Sequence, residues 1–133
     1  MTELSEQNRQ DLIKYRIDRA NETIKESELL ASDGYYNAAV SRLYYACYYA
    51  TLALMLKHKL HSKTHTGIKT LLNQHFVATG ILPMNIGKTF SQLFNKRQTS
   101  DYDDFVLCDK EMTDELTIKA KEYIDCLIQL INN

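Results

Sequence analysis

The sequence is poor in chain breakers, with four glycines and a single proline among 133 residues. An all-β chain needs a turn about every 8–12 residues, and turns draw on those two residue types. Their scarcity excludes a sandwich or barrel. Cysteine is sparse as well. Cys47, Cys108 and Cys126 are odd in number and form no Cys-x-x-Cys pair, which argues against a disulfide framework and for a reducing cytoplasm. Cys47 and Cys126 fall in apolar helical patterns, as buried inert thiols do. No apolar run approaches the ~18 residues of a membrane span. The polar stretch Met1 to Gln10 lacks a signal-peptide core. A cytoplasmic protein without membrane contact is the expectation.

The most informative absence is of one charge sign. Between Gly34 and Ser100 there is no Asp or Glu. That stretch carries Arg42, Lys57, Lys59, Lys63, Lys69, Lys88, Lys96 and Arg97, together with all four histidines. The flanks hold all 17 acids, so a net charge of −1 conceals a basic middle between acidic ends. Such separation creates local potential even when the sum is near zero. It has two readings: acidic terminal helices lying against basic central ones, or a surface kept free of carboxylates for an anionic ligand.

What remains is helical. The length suits one domain spanning 1–133. Apolar residues recur at three- and four-residue intervals in five segments. The first runs from about Gln7 to Ala31, with Ile13, Ile17, Ala20, Ile24 and Ser27 on one face, and Asp33-Gly34 ends it. The second, about Tyr35 to His58, is apolar or aromatic nearly all round. Leu43, Cys47, Ala50 and Leu54 line one stripe; Arg42, Tyr45, Tyr49, Leu52 and Leu56 line the other. A helix of that kind must be covered on two sides, and a second subunit over Tyr45, Tyr49 and Leu52 would supply one cover. A third helix is expected from Thr64 to Thr79. A fourth runs from Asn85 to Gln98, before an acidic loop starting at Ser100. A fifth runs from Lys110 to Ile131. The expected architecture is all-α: an antiparallel up-and-down bundle of four long helices plus a shorter one.

Arg97 continues the apolar stripe of Ile86, Phe90 and Leu93 on the fourth helix. It is either a snorkelling side chain near a helix C-terminus or an anion-binding Arg at a cleft or seam. His65 is either a hydrogen-bonding residue at the start of the third helix or an imidazole placed in the same cleft. His58, His61 and His65 are spaced for one helix face, but a break near His61 spoils the geometry, so neither a metal nor another cofactor is expected. Asp101, Asp103 and Asp104 do not make a calcium loop, because Val106 and Met112 stand where its Gly and Glu belong. No phosphate loop, dinucleotide-binding glycine pattern or nucleophile elbow is present.

Three stretches resemble one family. Ser41-Arg42-Leu43-Tyr44-Tyr45-Ala46-Cys47-Tyr48-Tyr49-Ala50 is similar to the signature helix of the HEPN domain family (higher eukaryotes and prokaryotes nucleotide-binding). Ser62-Lys63-Thr64-His65-Thr66-Gly67 resembles its Ser/His/Gly element. Arg97-Gln98-Thr99-Ser100-Asp101-Tyr102 resembles its Arg-x-x-x-Asp-Tyr element. The likeness runs from about Asn8 to Ile131 and is nearest to the small stand-alone prokaryotic members. It implies a helical bundle that forms a homodimer, a cleft binding RNA or a nucleotide, and a toxin–antitoxin-like setting beside a nucleotidyltransferase-type partner protein.

The ribonuclease members of that family carry Arg, four to six residues, then His. Here those positions hold Tyr102, Asp103 and Asp104. A tyrosine, with a reference pKa of about 10, is a poor base at neutral pH. The resemblance therefore implies the cleft and leaves catalysis open. Arg97, Tyr102 and His65 are the candidate catalytic set. Arg42, Arg97, Lys63 and Lys96 are the candidate RNA-binding set. The alternatives are a non-catalytic protein-interaction module and a metal-independent ribonuclease with a relocated base.

Overall fold

The computed structural model describes residues 4–102 and 108–133, with side chains given for all of these except 98–102. Five α-helices follow one another: α1 (Glu6–Ser32), α2 (Tyr36–Lys57), α3 (His65–Leu72), α4 (Met84–Tyr102) and α5 (Lys110–Asn132). No strand occurs among the described residues. The all-α bundle expected from the periodicity is what the chain forms.

The helix ends follow from local chemistry. The Ser5 hydroxyl accepts the Asn8 amide at 3.1 Å and starts α1. The Asp109 carboxylate accepts the Met112 amide at 2.8 Å and starts α5. Each side chain satisfies an amide that the helix itself leaves unpaired. Gly34, at φ +83°, ends α1 in the left-handed region that glycine adopts without strain.

α2 is the central element and packs on α1, α4 and α5. Ala39, Val40, Leu43, Ala46, Cys47, Ala50, Ala53 and Leu54 are wholly buried. Its small residues let neighbours approach closely, and the Cys47 thiol reaches the Ala120 carbonyl of α5 at 3.9 Å. The Ser27 hydroxyl donates to the Ala39 carbonyl at 2.8 Å, tying α1 to the first turn of α2. Deeper in, Thr51 donates to its own helix at Cys47 O, 2.7 Å away, so the Tyr123 hydroxyl, 2.6 Å away, must be the donor to Thr51. At the far end Arg9 caps the α2 carbonyl of Leu56 at 3.1 Å. Lys57 caps the α5 carbonyls of Leu130 and Ile131 and also donates to the main-chain oxygen of Asn133, just past the helix. Both cations meet the negative pole of a helix.

Two expectations need correction. The third helix is not one α-helical run to Thr79: it is α-helical to Leu72 and then a π-helical turn, Asn73–Val77. There Val77 approaches α4 so closely that a Cβ on Gly87 would stand 2.6 Å from its Cγ2. Nor does a loop begin at Ser100. The α4 backbone continues through Tyr102, because Thr99, Ser100 and Asp101 include neither Gly nor Pro to stop it. Asp103, Asp104 and Phe105 lie outside the described residues.

Candidate functional site

α2 carries two tyrosine doublets, Tyr44-Tyr45 and Tyr48-Tyr49. Residues four apart are neighbours on a helix surface, so Tyr48 follows Tyr44 and Tyr49 follows Tyr45 on adjacent stripes. Tyr44 is fully buried and the other three are half-buried. Phe90 of α4 stacks on Tyr44 at 5.6 Å and Phe94 meets it edge-on at 6.0 Å. Its one polar atom is not orphaned: Tyr44 Oη lies 2.7 Å from His65 Nδ1. The His65 ring lies flat on Tyr48, 4.2 Å between centroids and 7° between planes.

His65 is the first residue of α3, and its position is set by the turn before it. Thr64 Oγ1 accepts the Gly67 amide at 2.9 Å, an N-cap. Gly67 is required there, since a Cβ would stand 1.9 Å from Ser62 Oγ and 2.9 Å from Thr64 Oγ1. The run Ser62-Lys63-Thr64-His65-Thr66-Gly67 is thus a compact cap that fixes the main chain carrying the imidazole.

Arg97 enters from α4. Its guanidinium carbon lies 5.7 Å from the Tyr44 ring centroid and 5.2 Å from that of Tyr45. A cation over an aromatic face gains about 0.5–1 kcal/mol when exposed and ~2 when desolvated. Arg42 covers Tyr45 at 5.0 Å, Arg19 of α1 covers Tyr49 at 5.3 Å, and the charge of Arg16, also from α1, acts on the Tyr48 hydroxyl. Arginines from α1, α2 and α4 thus meet the rings of Tyr44, Tyr45 and Tyr49, and Arg16 acts on Tyr48 by its charge.

The electrostatics follow from this crowding. Burial, and then the charge of Arg97, hold His65 below the ordinary imidazole value of 6.5. Burial, seconded by Tyr48, pushes the Tyr44 hydroxyl well above the ordinary tyrosine value of 10.0, with Arg97 pulling the other way. At neutral pH the pair is a neutral imidazole and an un-ionised phenol. The Tyr44 O–H donates when the imidazole proton is on Nε2, and accepts when it is on Nδ1.

Among the described residues, acids of α1 reach the arginines around the tyrosine face. Glu26 of α1 reaches Arg42 at 3.6 Å and Arg19 at 3.5 Å, and Arg19 also bonds Glu22 at 3.0 Å. Exposed pairs of this kind are worth about 0–1 kcal/mol, less than a charge-assisted bond from arginine to a phosphate oxygen at about 1.5–3 kcal/mol. An anionic ligand can displace them.

Arg97, His65, Arg42, Tyr45 and Tyr49 meet in one cluster. Lys63 is exposed on the cap turn, two residues before His65. Lys96 lies about 100° round α4 from Arg97, in the α4–α5 groove with Met112, Glu115 and Lys119. The Tyr102 side chain, and any pairing of Arg97 with Asp101, lie outside the described residues. Leu52 faces a groove beside Tyr48. His58, just beyond α2, packs edge-on against Phe76 at 4.9 Å, and His65 opens a different helix, so the three histidines share no face. Among the described residues no three His, Cys, Asp or Glu side chains could hold a metal ion together. Sequence reasoning missed Tyr44, Tyr48, Arg16 and Arg19. The doubled tyrosines at four-residue spacing were the available signal.

A family model described as "HEPN domain" matches residues 13–131. A "UPF0332 protein" from Thermotoga maritima is 31% identical over 94% of this chain and 95% of its own. A protein named "Putative toxin" from Methanocaldococcus jannaschii is 30% identical over 82% of this chain and 74% of its own. A "UPF0332 protein" from Archaeoglobus fulgidus is 28% identical over 92% of this chain and 94% of its own.

Proposed function

The chain belongs to the HEPN domain family, and on that premise we propose that it binds RNA, or a nucleotide, at the cluster of Tyr44, Tyr45, Tyr48, His65 and Arg97. The observation that carries the proposal is the position of Arg97. Its guanidinium lies across two tyrosine rings beside a neutral imidazole. That arrangement suits a phosphate ester: Arg supplies a fork of donors for the phosphate oxygens, and half-buried rings offer faces on which bases stack. Arg42 adds a second cation, held by a weak and displaceable pair with Glu26. Lys63 supplies peripheral charge at the cap turn.

The half-buried edge of Tyr45 and Tyr49 is the proposed homodimer interface, with Leu52 of the expected set turned instead to the neighbouring groove, and it would bring two such clusters into one cleft. The name carried by the Methanocaldococcus relative supports a toxin-like role. In that setting this chain is one component of a two-gene module with a nucleotidyltransferase-type protein.

The Tyr44–His65 bond favours a second reading, a metal-independent ribonuclease. With the imidazole proton on Nδ1 and donated to Tyr44, Nε2 is a base. It would take the proton of a ribose 2′-OH as that oxygen attacks the adjacent phosphorus, leaving a 2′,3′-cyclic phosphate, while the 5′-oxygen departs and takes a proton from solvent water to become an alcohol. Arg97 would stabilise the charge on the phosphate. Tyr102, at the position where the family's ribonucleases begin to place histidine, is the other candidate in the proposed set.

The test is a binding and cleavage assay on pooled cellular RNA with EDTA present, comparing wild type with Arg97→Ala and His65→Gln. Binding lost in Arg97→Ala supports the proposal. Cleavage lost in both variants selects the ribonuclease reading. Equal binding by wild type and Arg97→Ala overturns the site, and no binding by either points to a protein-interaction module.

A further inference from the structure

Beside Tyr48, residues of α1, α2, α3 and the turn before α3 line a groove of about 410 Å³. That is near the lower end of small-ligand sites, about 300–1,000 Å³, and suits one planar ring system better than a helix or a strand. Its walls are the apolar side chains of Leu12, Leu52, Leu56, Leu60 and Ile68. Its polar groups are Arg16, His61 and Ser62, and no carboxylate lines it.

The groove is continuous with the cluster. Tyr48 lines it and stacks on His65; Ser62 lines it and is the side chain against which Gly67 must stay bare. Arg16 supplies the specific feature. Its Nε is buried and has no hydrogen-bond partner among the described residues. Turned toward the groove, the guanidinium would pair that donor with a ligand acceptor. A guanidinium has only donors, so the matching edge presents adjacent acceptors. Among the bases guanine does so, through O6 and N7, whereas adenine offers an amino group in place of O6.

We propose that this groove is a base-binding subsite for guanine, holding the base that flanks the phosphate bound at Arg97. The inference rests on the RNA-binding reading, but the subsite can be tested without a phosphate. Guanosine and adenosine are titrated into the isotope-labelled protein, with Leu methyl and Tyr48 ring signals followed by NMR, for wild type, Arg16→Gln and Leu12→Trp. A guanine-containing oligoribonucleotide and its adenine-substituted twin are then compared for affinity. The proposal predicts that guanosine shifts the Leu12, Leu52 and Tyr48 signals and that adenosine binds about tenfold more weakly. Arg16→Gln should remove the preference, and Leu12→Trp, which fills the groove, should remove nucleoside binding. Thermal melts identify a variant that fails to fold; Arg16→Gln, a polar replacement on α1, then carries the test alone.

RNA that binds through Arg97 with no guanine preference and no guanosine shifts would overturn the subsite and leave the RNA-binding reading intact. Guanosine shifts without any RNA affinity would keep the subsite and sink the wider reading. Shifts elsewhere, with these three residues silent, would overturn the subsite equally.

Discussion

Tyr44 Oη stands 2.7 Å from His65 Nδ1, joining the fully buried middle of α2 to the first residue of α3. One bond thus fixes a core tyrosine and a surface-accessible imidazole relative to each other.

Tyr44→Phe removes this bond and keeps the ring among Phe90 and Phe94. The protein should stay folded and lose about 1 kcal/mol, the net worth of one hydrogen bond. Its RNA affinity should fall less than that of Arg97→Ala. Urea unfolding measures the first effect and an affinity titration the second. A loss above about 3 kcal/mol, the upper range for stranding a buried partner, would mean that the hydroxyl holds up more than His65.

Gly67→Ala should be costly although Gly67 is only half-buried. The added Cβ meets Ser62 Oγ and Thr64 Oγ1, so the cap turn must move and His65 with it. Overpacking of this sort costs about 1–3 kcal/mol. Adding Ser62→Gly should recover part of the stability and part of the RNA binding. Unchanged melting and unchanged binding in Gly67→Ala would contradict the tight turn.

Much of this arrangement could be read from residue spacing, and the remainder depends on packing between distant segments. The all-round apolar pattern of α2 announced a central helix because every face of it needed cover. Arg97 was marked by falling four residues after Leu93 on an otherwise apolar stripe. Nothing local distinguishes Tyr44 from Tyr45: both lie in one doublet, and only the arrival of Phe90, Phe94 and His65 decides which is buried. Arg16 and Arg19 sit on α1, some thirty residues before Tyr48 and Tyr49, so their role depends on how α1 crosses α2. The π-helical turn at Asn73–Val77 has no breaker residue to announce it. The continuation of α4 past Ser100 was masked by the assumption that a polar run is a loop.

Acid should weaken the fold through His65. Its native pKa is held below 6.5 by burial and by Arg97, so below about pH 6.5 the unfolded chain takes up a proton that the native state resists. This contribution is fully present above pH 6.5 and is lost as pH falls from there toward the lower native value. His58 is lowered too, by burial and then by Lys57 and His75, so wild type alone does not isolate His65. The difference in unfolding midpoint between wild type and His65→Gln should change between pH 8 and pH 5.5. A constant difference would contradict the assignment.

Asp109→Ala removes the N-cap of α5, whose carboxylate accepts the Met112 amide. The expected cost is about 0.5–2 kcal/mol, with RNA affinity unchanged because α5 contributes nothing to the tyrosine face. A chemical denaturation curve and one affinity titration check both halves.

The central claim is that Arg97 contacts a phosphate at the tyrosine face. It is tested most directly by the salt dependence of RNA binding, measured with EDTA present for wild type and Arg97→Ala. Each lost phosphate contact to a single strand should flatten the slope of log K against log salt by about 0.7. The account predicts a steep wild-type slope, and for Arg97→Ala a weaker affinity and a slope flatter by that amount. Identical slopes and affinities for the two proteins would contradict it.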